Sequence, residues 1–189
     1  MDEEFVSCEQ KPGSAFAREV YDWVESGIMA IVCVILIFTF AGRLVGVSGD
    51  SMLETLHDQD RLIAVSFLYK PANGDIVVAS KPNVRNEPLI KRVIAVGGQT
   101  VEVSRETGEV LVDGVVIHED YIPEPLNPTN AGDMNYPIIV PEGYVFLMGD
   151  NRNHSWDSRY KGVGLIDERH ILGRAVYRVM PYSAMGGLD

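Results

Sequence analysis

Thr100-Val101-Glu102-Val103-Ser104-Arg105-Glu106-Thr107-Gly108-Glu109-Val110-Leu111-Val112-Asp113-Gly114-Val115-Val116-Ile117 is the stretch that decides the fold of this chain. Thr100–Val103 and Val110–Val112 are short strand-forming runs on either side of Glu106-Thr107-Gly108, which reads as a hairpin with a turn at its tip. Asp113-Gly114 then separates Val110–Val112 from residues 115–117, a two-residue hairpin signal. Three successive strands joined this way are antiparallel. The same reading extends outward. Arg61–Val65 is a short apolar run, and Asn73-Gly74-Asp75 turns into Ile76–Ala79. Leu89–Val96 is strand-like and closed by Gly97-Gly98, Tyr144–Met148 reads as a buried strand, and residues 175–179 as another. Residues 122–136, with several Pro and Asn, read as a loop. Only residues 167–172 read as a short helix. Many short strands and few helices predict a mainly β, antiparallel fold.

The 189 residues suffice for one domain and an anchor, and the formal net charge is -11. That balance argues against nucleic acid, whose binding needs clustered Lys and Arg. The two cysteines, Cys8 and Cys33, give neither a disulfide framework nor a zinc spacing. His57, His118 and His170 are scattered, so no metal or cofactor is expected.

From Ser26 to Gly42 no residue carries a charge, and the run can continue past Arg43, which can snorkel, through Leu44-Val45. A membrane crossing needs about 20 apolar residues. Residues 26–46 are therefore expected to form a transmembrane anchor, uncleaved because the preceding tail is acidic and the core is long. The expected division is a tail over 1–25, the anchor over 26–46, and a domain over 47–189.

Three segments after the anchor can carry chemistry. In Gly49-Asp50-Ser51-Met52, Gly49 permits a tight backbone and main-chain N–H groups near Ser51 could face a developing oxyanion; the same residues also suit a plain turn or helix cap. In Leu89–Val96, alternation sets Lys91 with Leu89 and Val93 and turns Arg92 the other way. A lysine in an apolar face loses solvation, which favours its neutral form and lets it act as a base; a snorkelling surface lysine fits the pattern too. The third segment, Gly149-Asp150-Asn151-Arg152-Asn153-His154-Ser155-Trp156-Asp157-Ser158-Arg159, is dense in small and polar groups directly after a strand. It lacks the ligand spacing of a calcium loop. Ser51, His154 and Asp157 could also be read as a triad, since triads follow geometry and not chain order.

Together these segments resemble the bacterial type I signal peptidases, membrane-anchored serine proteases. The similarity spans roughly residues 27–180 and includes Asp60-Arg61-Leu62 and Gly74-Asp75-Ile76-Val77. The resemblance implies Ser51 as nucleophile and Lys91 as general base, with Ser155 hydrogen-bonding and orienting the lysine. It implies a structural ion pair of Asp150 with Arg159, Asp157 beside it, and Arg92 in support. It implies a mainly β catalytic domain outside the cell membrane on a single-pass anchor with its N-terminus inside. It also implies cleavage of secreted preproteins after small residues at the -3 and -1 positions. Val47, Met52 and Ile90 are placed to line pockets for those residues. The implied partners are preproteins and the lipid bilayer, with no nucleic acid and no obligate protein partner. Two positions depart from the pattern: Glu54 stands where the family has proline, and Gly49 where some members have a serine whose hydroxyl joins the oxyanion hole. The alternative reading is an inactive or specialised relative that binds or trims one dedicated exported substrate.

Overall fold

The computed structural model describes residues 13–40, 42–81 and 87–188, with helical side chains from 16 to 36. The chain divides into two units, residues 1–40 and 41–189. The first is the helix α1, Gly13–Phe40. It begins well before the expected anchor, so residues 13–25 are helical and continuous with the apolar run; residues 1–12 of the expected tail lie outside the described residues. Among the described residues no helix is long and apolar enough to cross a membrane.

The far end of the expected anchor is corrected. Arg43–Gly46 is a strand, β1, paired antiparallel with β2, Arg61–Val65, in the register Arg43↔Ala64 to Gly46↔Arg61. Glycines at 42 and 46, each about 1 kcal/mol less favourable than alanine in a helix, flank the segment. Pairing with β2 satisfies its backbone groups while Val45 packs on the core that holds Leu62 and Ala64.

The second unit is antiparallel β, as expected. Its remaining strands are β3 Ile76–Ala79, β4 Leu89–Val96, β5 Thr100–Val103, β6 Val110–Val112, β7 Val115–Val116, β8 Ile138–Ile139, β9 Tyr144–Met148, β10 Ile166–Asp167, β11 Ile171–Met180 and β12 Gly186–Gly187. The larger sheet runs β1-β2-β11-β3-β4-β9-β10, with β12 also on β11; the smaller runs β7-β6-β5-β8. The opening hairpins form as read. Asp113 and Gly114, at φ 52° and 78°, carry the left-handed pair that a two-residue turn between twisted strands requires.

The helix expected over residues 167–172 is not there. Asp167 accepts the Arg169 N–H, one 3-10 turn follows at Glu168–His170, and Ile171 already starts β11. The ten residues of β11 pair with both β2 and β3, so its partners supply more backbone hydrogen bonds than a single helical turn could.

Two apolar clusters involve β3 and β4. One holds Val47, Met52, Leu56, Leu62, Ile76, Val78 and Ile90. The other holds Val77, Ala79, Leu89, Val93, Val145 and Leu147. Alternate residues of these strands therefore go to different cores, which is why β3 and β4 are buried throughout instead of alternating with polar residues. A third cluster joins Ile94, Phe146 and Met148 of the larger sheet to Val101, Val103, Val110 and Val112 of the smaller.

Candidate active site

Ser51 sits in a turn between β1 and β2. Met52, within that turn, and Leu56, just after it, are buried in the core beneath it and anchor it. The turn is also tied to the polar segment after β9: the Asn151 N–H donates to the Ser51 carbonyl at 3.1 Å, and Asn151 Nδ2 donates to the Asp50 carbonyl at 3.0 Å. Gly49 has φ +83°, and its N–H donates to Asp58 Oδ1 at 2.9 Å. Among the described residues nothing accepts the Ser51 N–H.

Lys91 lies in the middle of β4, opposite Val77, with Arg92 opposite Ile76. The two basic residues thus project to opposite sides of the strand, as alternation requires. Lys91 is only 4% exposed. Its Nζ lies 2.6 Å from Ser51 Oγ and donates to the Ile90 carbonyl at 3.0 Å. Forty residues of sequence are closed into one hydrogen-bonded pair.

Beside the pair opens a cleft of about 480 Å³, walled by β1, the Ser51 turn and the start of β4. Val47, Met52 and Ile90 all line it. Leu44, Val45 and Pro88, which sequence reasoning did not assign to a site, line it as well. Apart from Ser48, Ser51, Glu87 and Lys91, its lining residues are apolar or glycine.

The ion pairing around the site differs from the expected one. Asp150 pairs with Arg92, through Nε at 2.9 Å and Nη2 at 2.8 Å, and not with Arg159. Arg159 takes Asp157 instead, Nε to Oδ1 and Nη2 to Oδ2, each at 2.8 Å. Two residues apart in one buried turn, Asp157 and Arg159 meet locally, while Asp150 follows β9 beside β4 and so faces Arg92. Burial works against the Asp157 charge, but the Arg159 hydrogen bonds and charge, with the Gly149 N–H, outweigh it and hold the carboxyl below its usual range. Asp150 also accepts the Thr55 hydroxyl at 2.6 Å, which links the ion pair back to the Ser51 turn.

The Ser155 hydroxyl is buried; it helps to hold the charged form of Asp157, and among the described residues it meets no other partner at hydrogen-bond geometry. It packs against Gly149, where a Cβ would overlap both Ser155 Oγ and the Ser51 carbonyl oxygen. The triad reading fails on Asp157, whose oxygens are taken by Arg159 and Gly149, and on His154, which is exposed. Glu54 is exposed too and projects no charge into the core beneath Ser51.

Residues 20–180 match the sequence model of the family described as signal peptidase, peptidase S26. The chain is 34% identical over 181 residues to the signal peptidase I of Bacillus licheniformis, covering 91% of this chain and 95% of that one. It is 39% identical over 172 residues to the probable signal peptidase I-1 of Synechocystis sp., covering 85% and 83%. A solved signal peptidase I from Enterococcus faecalis V583 is 30% identical, with a TM-score of 0.44, and covers 56% of this chain and 97% of that chain. The chain belongs to the signal peptidase family, peptidase S26, and is a serine peptidase.

Proposed function

We propose that this protein is a membrane-bound endopeptidase that removes N-terminal signal peptides from exported preproteins, using Ser51 as nucleophile and Lys91 as general base. The observation that carries the reading is the 2.6 Å approach of Lys91 Nζ to Ser51 Oγ in the wall of the cleft. Burial disfavours an ammonium, so a neutral Lys91 amine can accept the Ser51 proton as Oγ attacks the scissile carbonyl. The oxyanion of the tetrahedral intermediate meets the Ser51 N–H. The C–N bond then breaks, the leaving amine takes the proton from Lys91, and an ester to Ser51 remains. Water gives a proton to Lys91 and attacks the ester; the acid product leaves and Ser51 regains its proton.

Val47, Met52 and Ile90 would shape the pockets for small residues at -3 and -1. An extended segment beside β1 and β4 presents alternate side chains to one wall, which suits recognition at two positions separated by one residue. The uncharged run beginning at Ser26 supports attachment to the cell membrane; the orientation, with the N-terminus inside and the catalytic domain outside, rests on the resemblance to the type I signal peptidases.

The reading is tested by incubating solubilised protein with a preprotein, beside Ser51→Ala, and sequencing the new N-terminus. A single Ser51-dependent cut after a small-x-small sequence is expected. Cutting that survives in Ser51→Ala, or cutting unrelated to small residues, contradicts it.

A further inference from the structure

The loop after β7 reaches beneath the catalytic pair and covers two guanidinium groups there. The Tyr121 ring lies over Arg92, 3.9 Å from Cζ to the ring centre, with Arg152 Cζ at 5.8 Å. Tyr121 donates its hydroxyl hydrogen bond to Glu119 Oε1 at 3.1 Å. Glu119 in turn accepts from Arg152, at 2.8 Å on Oε2 and 2.5 Å on Oε1. Arg152, fully buried, uses its Nε to hold the Gly149 carbonyl at 3.1 Å.

Each guanidinium acts on a different part of the site. Arg92 directly follows Lys91, and its carboxylate partner Asp150 accepts the Thr55 hydroxyl from the Ser51 turn. Arg152 fixes the peptide of Gly149, which leaves room for both the Ser51 carbonyl and Ser155. A buried guanidinium needs its charge balanced and its faces covered. Asp150 balances Arg92 and the Tyr121 face covers it, while Glu119 balances Arg152.

We propose that Tyr121 and Glu119 are positioning residues for the reaction: by capping Arg92 and Arg152 they hold the strand of Lys91 and the turn of Ser51 in register. This rests on the Ser51–Lys91 reading. The smaller sheet, whose loop supplies both residues, is then part of the catalytic apparatus although it contributes nothing to the cleft walls. The effect acts through placement of the reacting pair, so it falls on kcat and leaves KM alone.

The test compares wild type, Tyr121→Phe, Tyr121→Ala and Glu119→Gln on one peptide substrate, at a temperature where each is folded by circular dichroism. Tyr121→Phe keeps the stacking ring and should retain near-wild-type kcat. Tyr121→Ala should lose about tenfold in kcat at unchanged KM, less than the roughly hundredfold that an ångström of misplacement can cost. Glu119→Gln, near in size, should lose several-fold in the same manner, and it decides the matter if Tyr121→Ala does not fold. Wild-type kcat in the folded Ala and Gln variants, with only the melting temperature lowered, overturns the proposal. So does a loss confined to KM. A wild-type arm without Ser51-dependent cleavage instead defeats the underlying functional reading, and is seen before any variant is compared.

Discussion

Arg92 and Asp150 face each other through two hydrogen bonds, at 2.9 and 2.8 Å, with the carboxylate wholly buried. The pair joins strand β4, which carries Lys91, to the segment after β9, and through Thr55 to the Ser51 turn. Asp150→Ala would take from the buried Arg92 guanidinium the carboxylate that accepts two of its hydrogen bonds. A destabilisation of about 3–5 kcal/mol is expected in urea unfolding, as for other broken buried pairs. A change under about 1 kcal/mol, the range of an exposed pair, would contradict the assignment.

Gly149 is the closest-packed position at the site. Gly149→Ala sets a Cβ against Ser155 and the Ser51 carbonyl oxygen, so in a variant that is folded by circular dichroism the Ser51 turn has been displaced. Relieving both contacts takes about an ångström of displacement, which should reduce kcat by about a hundredfold. Wild-type turnover in Gly149→Ala would show that the Ser51 turn yields freely.

The Asp157 carboxyl is held below its usual range, chiefly by Arg159 against the opposing effect of burial. The folded protein therefore binds fewer protons at this group than the unfolded chain, whose Asp titrates near about 3.9. The stabilisation is present above that value and is lost as pH falls from there toward the folded-state pKa. Urea midpoints measured between pH 6 and pH 3 should fall steeply at the acid end in wild type. Asp157→Asn should begin lower and fall less steeply; parallel curves would remove Asp157 from the acid response.

Ile90 lines the cleft while packing in the core beneath it. Ile90→Ala should cost about 2–4 kcal/mol in stability. It should also widen the proposed pocket, so that a peptide with leucine at -1 or -3 is cut faster than by wild type. Product sequencing across a substrate series reads this directly, and an unchanged preference would exclude Ile90 from the pocket wall.

The strands were legible where their signals are local. The hairpins of residues 100–116 follow from Gly108, Asp113 and Gly114, β3 from an unbroken apolar run, and β4 from the apolar residues on either side of Lys91-Arg92. β1 was not legible, because Arg43–Gly46 merely prolongs an apolar run and its partner Arg61–Val65 is remote in sequence. The start of β11 was hidden likewise, since its partners lie far upstream. At the site, Ser51, Lys91 and the cleft residues Val47, Met52 and Ile90 were all named from sequence, and they come together. Which carboxylate pairs with which guanidinium was not readable, because that depends on the β4–β9 pairing and on one buried turn. Thr55, Glu119 and Tyr121 carried no sequence signal at all, being ordinary residues made important by their neighbours.

The central claim is that Lys91 is the base for Ser51. The most direct measurement is the single-turnover rate of preprotein cleavage by purified Lys91→Ala against wild type, with circular dichroism confirming the fold. General-base catalysis contributes about 10²–10⁴-fold, so the variant should fall by at least about a hundredfold. A rate within a few-fold of wild type would contradict the account.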